Sequence, residues 1–299
     1  MTSGPGGVRW GVMKRVWPSV LRRTTSMPVR WFDSGWTRTA DRHGGGADLD
    51  RLSLATYNIW FNGLFARQRY EAIAAILAAE APDVMVFQEV TEPALTVLLA
   101  QPWVRAHYSS AAVCGGRLGH YGMLLLSRIP VDRVSYTRLP SNLSRGYLTA
   151  RYTIGGRAFT VVGLHLESGK AAAAVRDRQL RLVVDSVRSH ANVAIMGDFN
   201  LRDAENAILP ADFADVWPML RPDEPGFTED TTINHMRYDM KDKHRHVRFD
   251  RVLLKADTWT AHSVQLLGRE PVAPELPRIF PSDHFGVQCT LKRVSRETR

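Results

Sequence analysis

The sequence is poor in cysteine and contains no long uninterrupted apolar run. Its 299 residues include only two cysteines, Cys114 and Cys289, which lie far apart and lack the spacing of metal ligands. This argues against a disulfide framework and favours a reducing compartment. Because no apolar stretch approaches the length that spans a bilayer, the sequence also predicts a soluble protein with no membrane partner.

Acidic residues are missing from the start of the chain. Six basic residues precede the first acid, Asp33, and they are Arg9, Lys14, Arg15, Arg22, Arg23 and Arg30. Residues 1–50 show no sustained period of 2 or 3.6, so we expect a basic, disordered tail with a hinge at Gly44-Gly45-Gly46. An Arg-rich, acid-poor start also resembles an organelle transit peptide. The expected division is a tail at 1–50, a catalytic domain at 51–293 and a short tail at 294–299.

The chain as a whole is basic, with a net charge of +9 and a pI near 9.9. Such a surface favours a polyanionic partner such as nucleic acid, because neutralised phosphates release their counterions. Solubility alone is the other explanation of the charge. The expected location is the cytoplasm in a bacterium and the nucleus in a eukaryote.

From residue 51 onward, short apolar strands alternate with amphipathic helices. Apolar residues at Tyr70, Ile73 and Leu77 predict a helix over 69–79, and a second helix includes Leu180 and Val183. Gly155-Gly156 predicts a hairpin. The predicted strands are 52–57, 84–87, 121–127, 148–154, 159–166, 193–196, 249–255 and 286–291. Many strands with few helices between them favour a layered α/β sandwich.

Acidic and amide residues recur where apolar strands stop. They are Asn58, Glu89, Asp198, Asn200, Asp283 and His284, with Asp250 inside a strand. Polar groups at the ends of neighbouring strands converge, so these residues predict one site. Carboxylate and amide oxygens suit a hard cation such as Mg²⁺, with Mn²⁺ as a substitute. A cation, a base and a histidine donor together fit phosphodiester hydrolysis.

Each of these residues also has an ordinary structural explanation. Gly197-Asp198-Phe199-Asn200 could be a turn, because Gly, Asp and Asn are turn formers. Glu89 could be solvated or cap a helix, and His284 could cap a turn. Asp250 lies between Arg248 and Arg251 and could form a surface ion pair of little consequence. Their joint occurrence at strand ends favours the functional interpretation.

These motifs resemble those of the endonuclease/exonuclease/phosphatase superfamily over about residues 52–292. The resemblance rests on Tyr57-Asn58-Ile59, Phe87-Gln88-Glu89, Leu164-His165-Leu166, Gly197-Asp198-Phe199-Asn200, Phe249-Asp250-Arg251 and Ser282-Asp283-His284. It implies a four-layered α/β sandwich, in which two mixed β-sheets pack face to face with helices outside. It also implies a divalent-metal hydrolase of phosphate esters.

Further segments look like the 5′-tyrosyl-DNA phosphodiesterase branch. They are His165-Leu166-Glu167-Ser168, Asn200-Leu201-Arg202-Asp203, Arg248-Phe249-Asp250-Arg251 and Phe280-Pro281-Ser282-Asp283-His284. Members of this branch release a tyrosine that a trapped topoisomerase II leaves on a DNA 5′ end. The resemblance therefore implies a DNA-repair enzyme whose partner is a DNA 5′ end with a tyrosyl adduct. We expect it to act as a monomer.

The same resemblance implies a role for each matching residue. Glu89 is expected to bind Mg²⁺, supported by Asp283 and Asn58. The catalytic set is expected to be Asp198 as activator of water, His284 as stabiliser of the transition state, Asp250 as its orienting partner, and Asn58. Contacts to the phosphate and the DNA end are expected from Asn200, Arg202, His165, Glu167 and Ser168.

The sequence departs from the branch at two places. Trp60 and Phe61 follow Asn58 where animal members carry an acidic residue and a Gly, and they are expected to stack on substrate or to form a wall of the core. Glu229 replaces a Trp at a position that faces DNA in the family. The run His235–His246 is rich in basic residues and could border the substrate or simply be solvated.

Two other functions remain open from the sequence. The first keeps the fold and the metal but changes the substrate, as in a general nuclease, an abasic-site endonuclease or a phosphatase of small esters. The second is a catalytically silent nucleic-acid-binding or scaffold protein. The intact acidic, amide and histidine set argues against the second.

Overall fold

The computed structural model describes residues 24–38, 46–115 and 120–294. The strands in this part of the chain are β1 (Thr24–Met27), β2 (Arg30–Phe32), β3 (Trp36–Arg38), β4 (Arg51–Asn58), β5 (Val84–Val90), β6 (Ser109–Val113), β7 (Gly122–Ser127), β8 (Arg133–Arg138), β9 (Gly146–Ile154), β10 (Arg157–His165), β11 (Val193–Asp198), β12 (Ala214–Asp215), β13 (Glu229–Asp230), β14 (His246–Val247), β15 (Asp250–Lys255), β16 (Trp259–Leu267) and β17 (Gly286–Arg293). The α-helices are α1 (Ala66–Glu80), α2 (Glu92–Ala100), α3 (Pro102–His107), α4 (Ala173–Ser186), α5 (Val216–Leu220) and α6 (Met236–Lys241).

The strands form two large mixed sheets and one small two-stranded sheet. The seven-stranded sheet has the order β1-β8-β9-β10-β11-β15-β12, and the eight-stranded sheet has the order β16-β17-β4-β5-β7-β6-β2-β3. The parallel pair β10–β11 lies in the first sheet and the parallel pair β4–β5 in the second, each among antiparallel neighbours. Strands β13 and β14 pair with each other.

The two large sheets pack face to face. One apolar cluster joins side chains of β4, β5 and β7 to side chains of β10, β11 and β15, including Leu54, Val86, Leu125, Val161, Met196 and Val252. The sheets approach closely at Gly163 of β10, where an added Cβ would lie 2.2 Å from Val86 Cγ1 of β5. Interiors are close-packed, so no larger residue fits there without moving a sheet.

Helices cover the outer face of each sheet. Alternate residues of β5, Met85 and Phe87, point away from the shared core and pack against α1 and α2. On the other side, Leu180 and Val183 of α4 pack against the outer face of the seven-stranded sheet. The result is a helix, sheet, sheet, helix arrangement, and the predicted four-layered sandwich is confirmed.

The elements with clear apolar periodicity form where the sequence predicts them. The helix predicted over 69–79 is α1, and the strand predicted over 84–87 begins β5. The hairpin predicted at Gly155-Gly156 joins β9 to β10, with Ile154 opposite Arg157. Strands β6, β8 and β16 and the short helices α2 and α3 were not predicted. They are short or mixed in polarity, so they carry a weak periodic signal.

The N-terminal segment differs from the expected disordered tail. Residues 24–38 form β1, β2 and β3, and these strands extend both sheets. Each strand has only three or four residues, which is too short for a period of 2 to stand out. Sheet-forming strands therefore also precede the predicted domain boundary at residue 50. The expected transit peptide and most of the expected C-terminal tail fall on residues 1–23 and 295–299, outside the described residues.

Among the described residues, none of the helices combines the length and apolar character needed to cross a membrane.

Candidate active site

The site forms where the two parallel strand pairs end. In the eight-stranded sheet, Asn58 is the last residue of β4 and lies opposite Gln88 of β5, next to Glu89. In the seven-stranded sheet, His165 ends β10 and lies opposite Asp198, which ends β11. Because the sheets are stacked, the two groups of strand ends meet at one edge of the sandwich. The polar residues at these strand ends therefore lie close together in the fold, as the sequence predicts.

Asp198 is a buried carboxylate that three donors hold in place. Its Oδ2 accepts a hydrogen bond from Asn58 Nδ2 at 3.0 Å and lies 3.3 Å from His165 Nε2. Its Oδ1 accepts one from the backbone N–H of Asn200 at 2.8 Å. The bond to Asn58 crosses from one sheet to the other. Asp198 is therefore fixed in position by residues of both sheets.

Arg145, which the sequence analysis did not single out, sets the tautomer of His165. The Arg145 guanidinium has only donors, and its Nη1 lies 2.9 Å from His165 Nδ1. Nδ1 must therefore accept, so the proton of the neutral ring is on Nε2, which faces Asp198. Burial, followed by the charge of Arg145, lowers the pKa of His165 and favours this neutral form. Arg145 is itself buried and also donates to Tyr121 Oη.

The surroundings keep Asp198 ionised. Burial alone would raise the pKa of its carboxyl, but the contact with His165, together with the positive charges of His284 and Arg145, holds the pKa well below its usual range. A carboxylate that accepts several hydrogen bonds is stabilised in its charged form. Asp198 is thus a carboxylate at neutral pH, able to accept a hydrogen bond or a proton.

His284 and Asp250 form a buried pair beside Asp198. His284 Nδ1 lies 2.7 Å from Asp250 Oδ2, and burial is outweighed by Asp250, which holds the pKa of His284 well above its usual value. The alternative of an ion pair between Asp250 and its flanking arginines is wrong. Arg248 and Arg251 each bind Asp215 at 2.8 Å instead. The pair presents a protonated imidazole to the cleft.

Glu89 and Asp283 are two carboxylates that line the same cleft, and Glu89 Oε2 accepts a hydrogen bond from the backbone N–H of Phe61 at 3.1 Å. Asp283 Oδ1 is buried and has no hydrogen-bond partner in the described residues. Burial and then the nearby Glu89 and Glu229 raise the pKa of Asp283 to about 7, although His284 and Arg237 oppose the shift. Hard oxygen ligands with uncompensated negative charge are what a divalent cation such as Mg²⁺ binds. The two carboxylates fit a metal.

A second group of potential ligand atoms belongs to Asp198, Asp250 and His284, which lie within 4.8 Å of one another. His284 Nδ1 and Asp250 Oδ2 already satisfy each other at 2.7 Å. Asp198 accepts two hydrogen bonds and contacts His165 Nε2 at 3.3 Å. Since a metal would have to break these contacts, Glu89 and Asp283 are the carboxylates of the cleft that could hold a metal with less rearrangement.

Arg69, a residue of α1 that sequence analysis did not find, holds the loops of the site together. Its fully buried guanidinium donates to the carbonyls of Ile59, Trp60, Asn62 and Leu64 in the loop after β4. It also donates to Pro281 O at 3.3 Å, two residues before Asp283. One side chain thus fixes the loop after Asn58 relative to the loop that carries Asp283 and His284.

The site opens into a cleft of about 690 Å³. Most of the residues predicted to form the site line this cleft, namely Trp60, Glu89, His165, Ser168, Asp198, Asn200, Arg202, Asp283 and His284. Asn58 and Asp250 lie behind them and contact Asp198 and His284. The predicted site is therefore largely assembled, with two residues in a supporting layer.

Glu167 does not reach the cleft. Its carboxylate is buried and accepts hydrogen bonds from Ser141 Oγ at 2.5 Å and from the backbone N–H of Asn142 at 3.2 Å. Glu167 therefore does not make the expected contact with substrate, and its carboxylate instead binds Ser141 and Asn142. Neighbouring positions on an extended segment point to opposite sides, and Ser168 takes the side that faces the cleft. Glu167 positions the loop at 141–143, whose Leu143 lines the cleft.

The two aromatic residues after Asn58 have different environments. Trp60 is 5% exposed and packs with Met236, Phe280 and Phe285, which matches the expectation of a core wall. Phe61 is 47% exposed and stacks on Tyr121 with ring centroids 4.8 Å apart. Phe61 and Tyr121 both line the cleft, so an aromatic surface is available to a substrate ring.

Gly197 is required by the backbone next to Asp198. Its φ is +141°, and an added Cβ would lie 2.1 Å from Leu164 O of the neighbouring strand. We expect Gly197→Ala to lower the free energy of unfolding by about 2–5 kcal/mol, from backbone strain plus overpacking. Urea denaturation would measure the loss. Gly156→Ala is the matched control, since Gly156 also has positive φ but has open space around it; equal losses in both variants would contradict the steric argument.

Comparison with known proteins identifies the class of protein that this fold and site define. A model of the Endonuclease/Exonuclease/phosphatase family matches residues 55–284. The chain belongs to the endonuclease/exonuclease/phosphatase family. The resemblance inferred from the motifs is confirmed.

Within the family, the similarity extends to tyrosyl-DNA phosphodiesterases. The chain is 31% identical over 261 residues to tyrosyl-DNA phosphodiesterase 2 of mouse (Mus musculus), covering 83% of this chain and 68% of the mouse protein. It is 28% identical over 252 residues to the 5′-tyrosyl-DNA phosphodiesterase of Caenorhabditis elegans, covering 80% and 66%. A structure of Danio rerio TDP2 complexed with single-strand DNA product matches with a TM-score of 0.73 and 28% identity, covering 82% of this chain and 100% of that chain.

Proposed function

We propose that this protein is a metal-dependent phosphodiesterase that hydrolyses the bond between a tyrosine and the 5′ phosphate of DNA, with Mg²⁺ as the metal. The observation that carries the proposal is the pairing of two buried groups at one edge of the sandwich. Asp198 is a carboxylate oriented by Asn58 and His165, and His284 is an imidazole charged by Asp250. A base and a charged donor side by side suit hydrolysis of a phosphate ester.

The residues act on the substrate as follows. Asp198 accepts a hydrogen bond from the attacking water and takes its proton as the water oxygen bonds to phosphorus. The bond from phosphorus to the tyrosyl oxygen breaks, and its electron pair leaves with that oxygen, which is protonated by solvent. His284 donates to a phosphoryl oxygen whose negative charge grows in the transition state. A divalent cation held by Glu89 and Asp283 would neutralise part of the same charge.

Substrate contacts are assigned to the residues that line the cleft. Arg202 suits a phosphate because its planar guanidinium binds oxygens in pairs. Asn200 is held by a hydrogen bond from its Nδ2 to Leu166 O at 3.2 Å, and Ser168 lies at the same cleft. The exposed Phe61, stacked on Tyr121, offers an aromatic surface for a tyrosine ring or a base.

The proposal predicts conversion of a 5′-tyrosyl oligonucleotide to a 5′-phosphate product by the purified protein with Mg²⁺. Chelation with EDTA should stop the reaction because the Glu89 and Asp283 carboxylates are left without their cation. Added Mg²⁺ or Mn²⁺ should restore it. The measurement is product formation resolved by denaturing gel electrophoresis.

A substrate panel at equal concentration separates the proposal from its alternatives. The panel adds an unmodified strand, an abasic-site duplex and a small phosphate monoester to the 5′-tyrosyl strand. The 5′-tyrosyl strand should be cut fastest. Absence of conversion at excess enzyme, with a working positive control, would contradict the tyrosyl substrate, and faster cutting of another member would reassign it.

We further propose that the enzyme acts as a monomer and that the catalytic domain corresponds to residues 51–293, extended by the strands at 24–38. A nuclear location is the proposal for a eukaryotic source, since the curated relatives named above are animal DNA-processing enzymes. Gel filtration of the full chain tests the oligomeric state.

A further inference from the structure

Glu229 is a buried acid that lines the cleft, where an anionic substrate would enter. It is 2% exposed and is the first residue of β13, which pairs with β14. Taking a carboxylate out of water is costly unless opposite charge accompanies it. An acid in a cleft for phosphates therefore needs an explanation in terms of its neighbours.

Two arginines surround Glu229. Arg245 Nη1 lies 3.0 Å from Glu229 Oε2, and Arg237 Nε lies 3.3 Å from Glu229 Oε1. Arg245 precedes β14 and Arg237 belongs to α6, so two separate elements bring their guanidinium groups to one carboxylate. Both arginines line the cleft and are only partly buried, at 29% and 26% side-chain exposure. We call Glu229, Arg237 and Arg245 the arginine clamp.

The clamp has spare binding capacity for an anion. Two guanidinium groups and one carboxylate leave one net positive charge, which matches one phosphodiester. Each guanidinium carries five donors, more than Glu229 can accept. The neighbouring Arg202 also lines the cleft; its buried Nη1 lies 3.8 Å from Glu205 Oε1 and has no hydrogen-bond partner in the described residues.

The clamp borders the reaction centre. Arg237 Nη1 lies 3.7 Å from Asp283 Oδ2, so the same side chain contacts both Glu229 and an expected metal ligand. A phosphate held by the clamp would therefore be close to the scissile phosphate but distinct from it. The next phosphate along a nucleic-acid strand meets this description.

We infer that the arginine clamp is a subsite for an internucleotide phosphate on the 3′ side of the scissile phosphate, and that Glu229 is the positioning residue that aims its two arginines. This inference rests on the proposed function, because it names the part of the substrate that the cleft holds. Oriented guanidinium groups lose less freedom on binding, which is how a buried acid can improve the capture of an anion. The substrate is then a strand of at least two nucleotides.

The test compares substrates that differ in one charge. A single-phosphate substrate, thymidine 5′-(4-nitrophenyl phosphate), is set against 5′-(4-nitrophenyl phosphoryl) tetranucleotides in which each internucleotide phosphate in turn is an uncharged methylphosphonate. Replacement of one particular internucleotide phosphate should lower kcat/KM of the wild type by about tenfold to hundredfold, which is the effect of losing one charge-assisted contact. Equal rates at all positions would overturn the subsite.

Variants of the clamp arginines test whether the clamp binds that internucleotide phosphate. Arg245→Gln should lower the ratio of tetranucleotide to single-phosphate kcat/KM by about tenfold or more, mainly through KM, and should remove the methylphosphonate effect. Arg278→Gln is the matched control. Arg278 is an exposed arginine paired with Asp239 in the same region of the fold, so its replacement should leave the ratio unchanged. Equal loss on both substrates with Arg245→Gln would overturn the assignment.

The Glu229→Gln variant shows whether Glu229 orients the two arginines or only repels the nucleic-acid strand. If Glu229 orients the two arginines, this variant lowers the ratio of tetranucleotide to single-phosphate kcat/KM several-fold. If Glu229 only repels the strand, the ratio rises and the inference is wrong.

Binding of a fluorescent 5′-phosphorylated tetranucleotide product, followed by anisotropy, tests the subsite without turnover. There, Arg245→Gln should reduce the slope of log K against log salt by about 0.7, the value for one lost single-strand phosphate contact. An unchanged slope would contradict the contact even if the protein proved inactive on tyrosyl substrates.

Discussion

An Asp198→Asn variant is expected to lose about 10²–10⁴-fold in kcat on a 5′-tyrosyl oligonucleotide. The amide has the size of the carboxylate, but it cannot take the proton of the attacking water. It also meets the wrong partners, because Asn58, His165 and Asn200 all direct N–H groups at the two oxygens of Asp198. His165 cannot adapt by changing tautomer, since Arg145 occupies its Nδ1. The loss therefore combines a missing base with a disturbed geometry.

Single-turnover kinetics at saturating enzyme measure this loss without interference from product release. Asp177→Asn is the matched control, because Asp177 lies on α4 and forms an exposed pair with Arg181 at 2.9 Å. Its turnover should equal that of the wild type. Circular dichroism of both variants checks that they are folded. If Asp198→Asn kept kcat within tenfold of the wild type, another group would have to be the base.

A His284→Gln variant is expected to lose about 10²–10³-fold in kcat, the usual effect of removing one donor to a developing oxyanion. Glutamine retains an N–H group for Asp250, so the buried carboxylate keeps a partner and the variant can fold. The positive charge that Asp250 maintains on His284 is lost. Asp250→Asn should cause a smaller loss, because it weakens that charge without removing the ring.

The double variant distinguishes a positioning role of Asp250 from an independent one. If Asp250 acts only through His284, the double variant should have the kcat of His284→Gln within about threefold. Additive losses would show that Asp250 has a separate function. Asp239→Asn serves as the control, since Asp239 is half-exposed and pairs with Arg278 outside the cleft. A stopped-flow or quench-flow time course gives kcat for each protein.

Much of the fold and of the candidate site could be predicted from the local sequence. An apolar run followed by a polar residue marks a strand end, and this pattern located Asn58, Glu89 and Asp198 before any tertiary contact was known. The spacing of Tyr70, Ile73 and Leu77 likewise located α1. Short strands without such a signal were missed. Strands β1 to β3 belong to this group, because three or four residues acquire their structure from the sheet edge on which they pair.

Long-range contacts decided the direction of side chains. Glu167 and Ser168 are neighbours in one motif, yet Glu167 turns away to the loop at 141–143 while Ser168 faces the cleft. Asp250 has an arginine two residues before it and another directly after it, yet it pairs with His284, which is 34 positions away. No local pattern encodes such choices, since they depend on which partner the packed fold brings within hydrogen-bond distance.

The sequence by itself determined the family, through its strand-end motifs, and it predicted a layered sandwich and the residues that meet at the cleft, because apolar periodicity and short motifs are local properties. Only the tertiary structure decided how those residues are held. In the folded protein Arg145 donates to His165, and Arg69 donates to the carbonyls of Trp60 and Pro281. Glu229 lies between the guanidinium groups of Arg237 and Arg245. A buried arginine must satisfy its donors with whatever acceptors surround it, and those acceptors come from segments up to 212 residues apart. That arrangement exists only after the two sheets have packed.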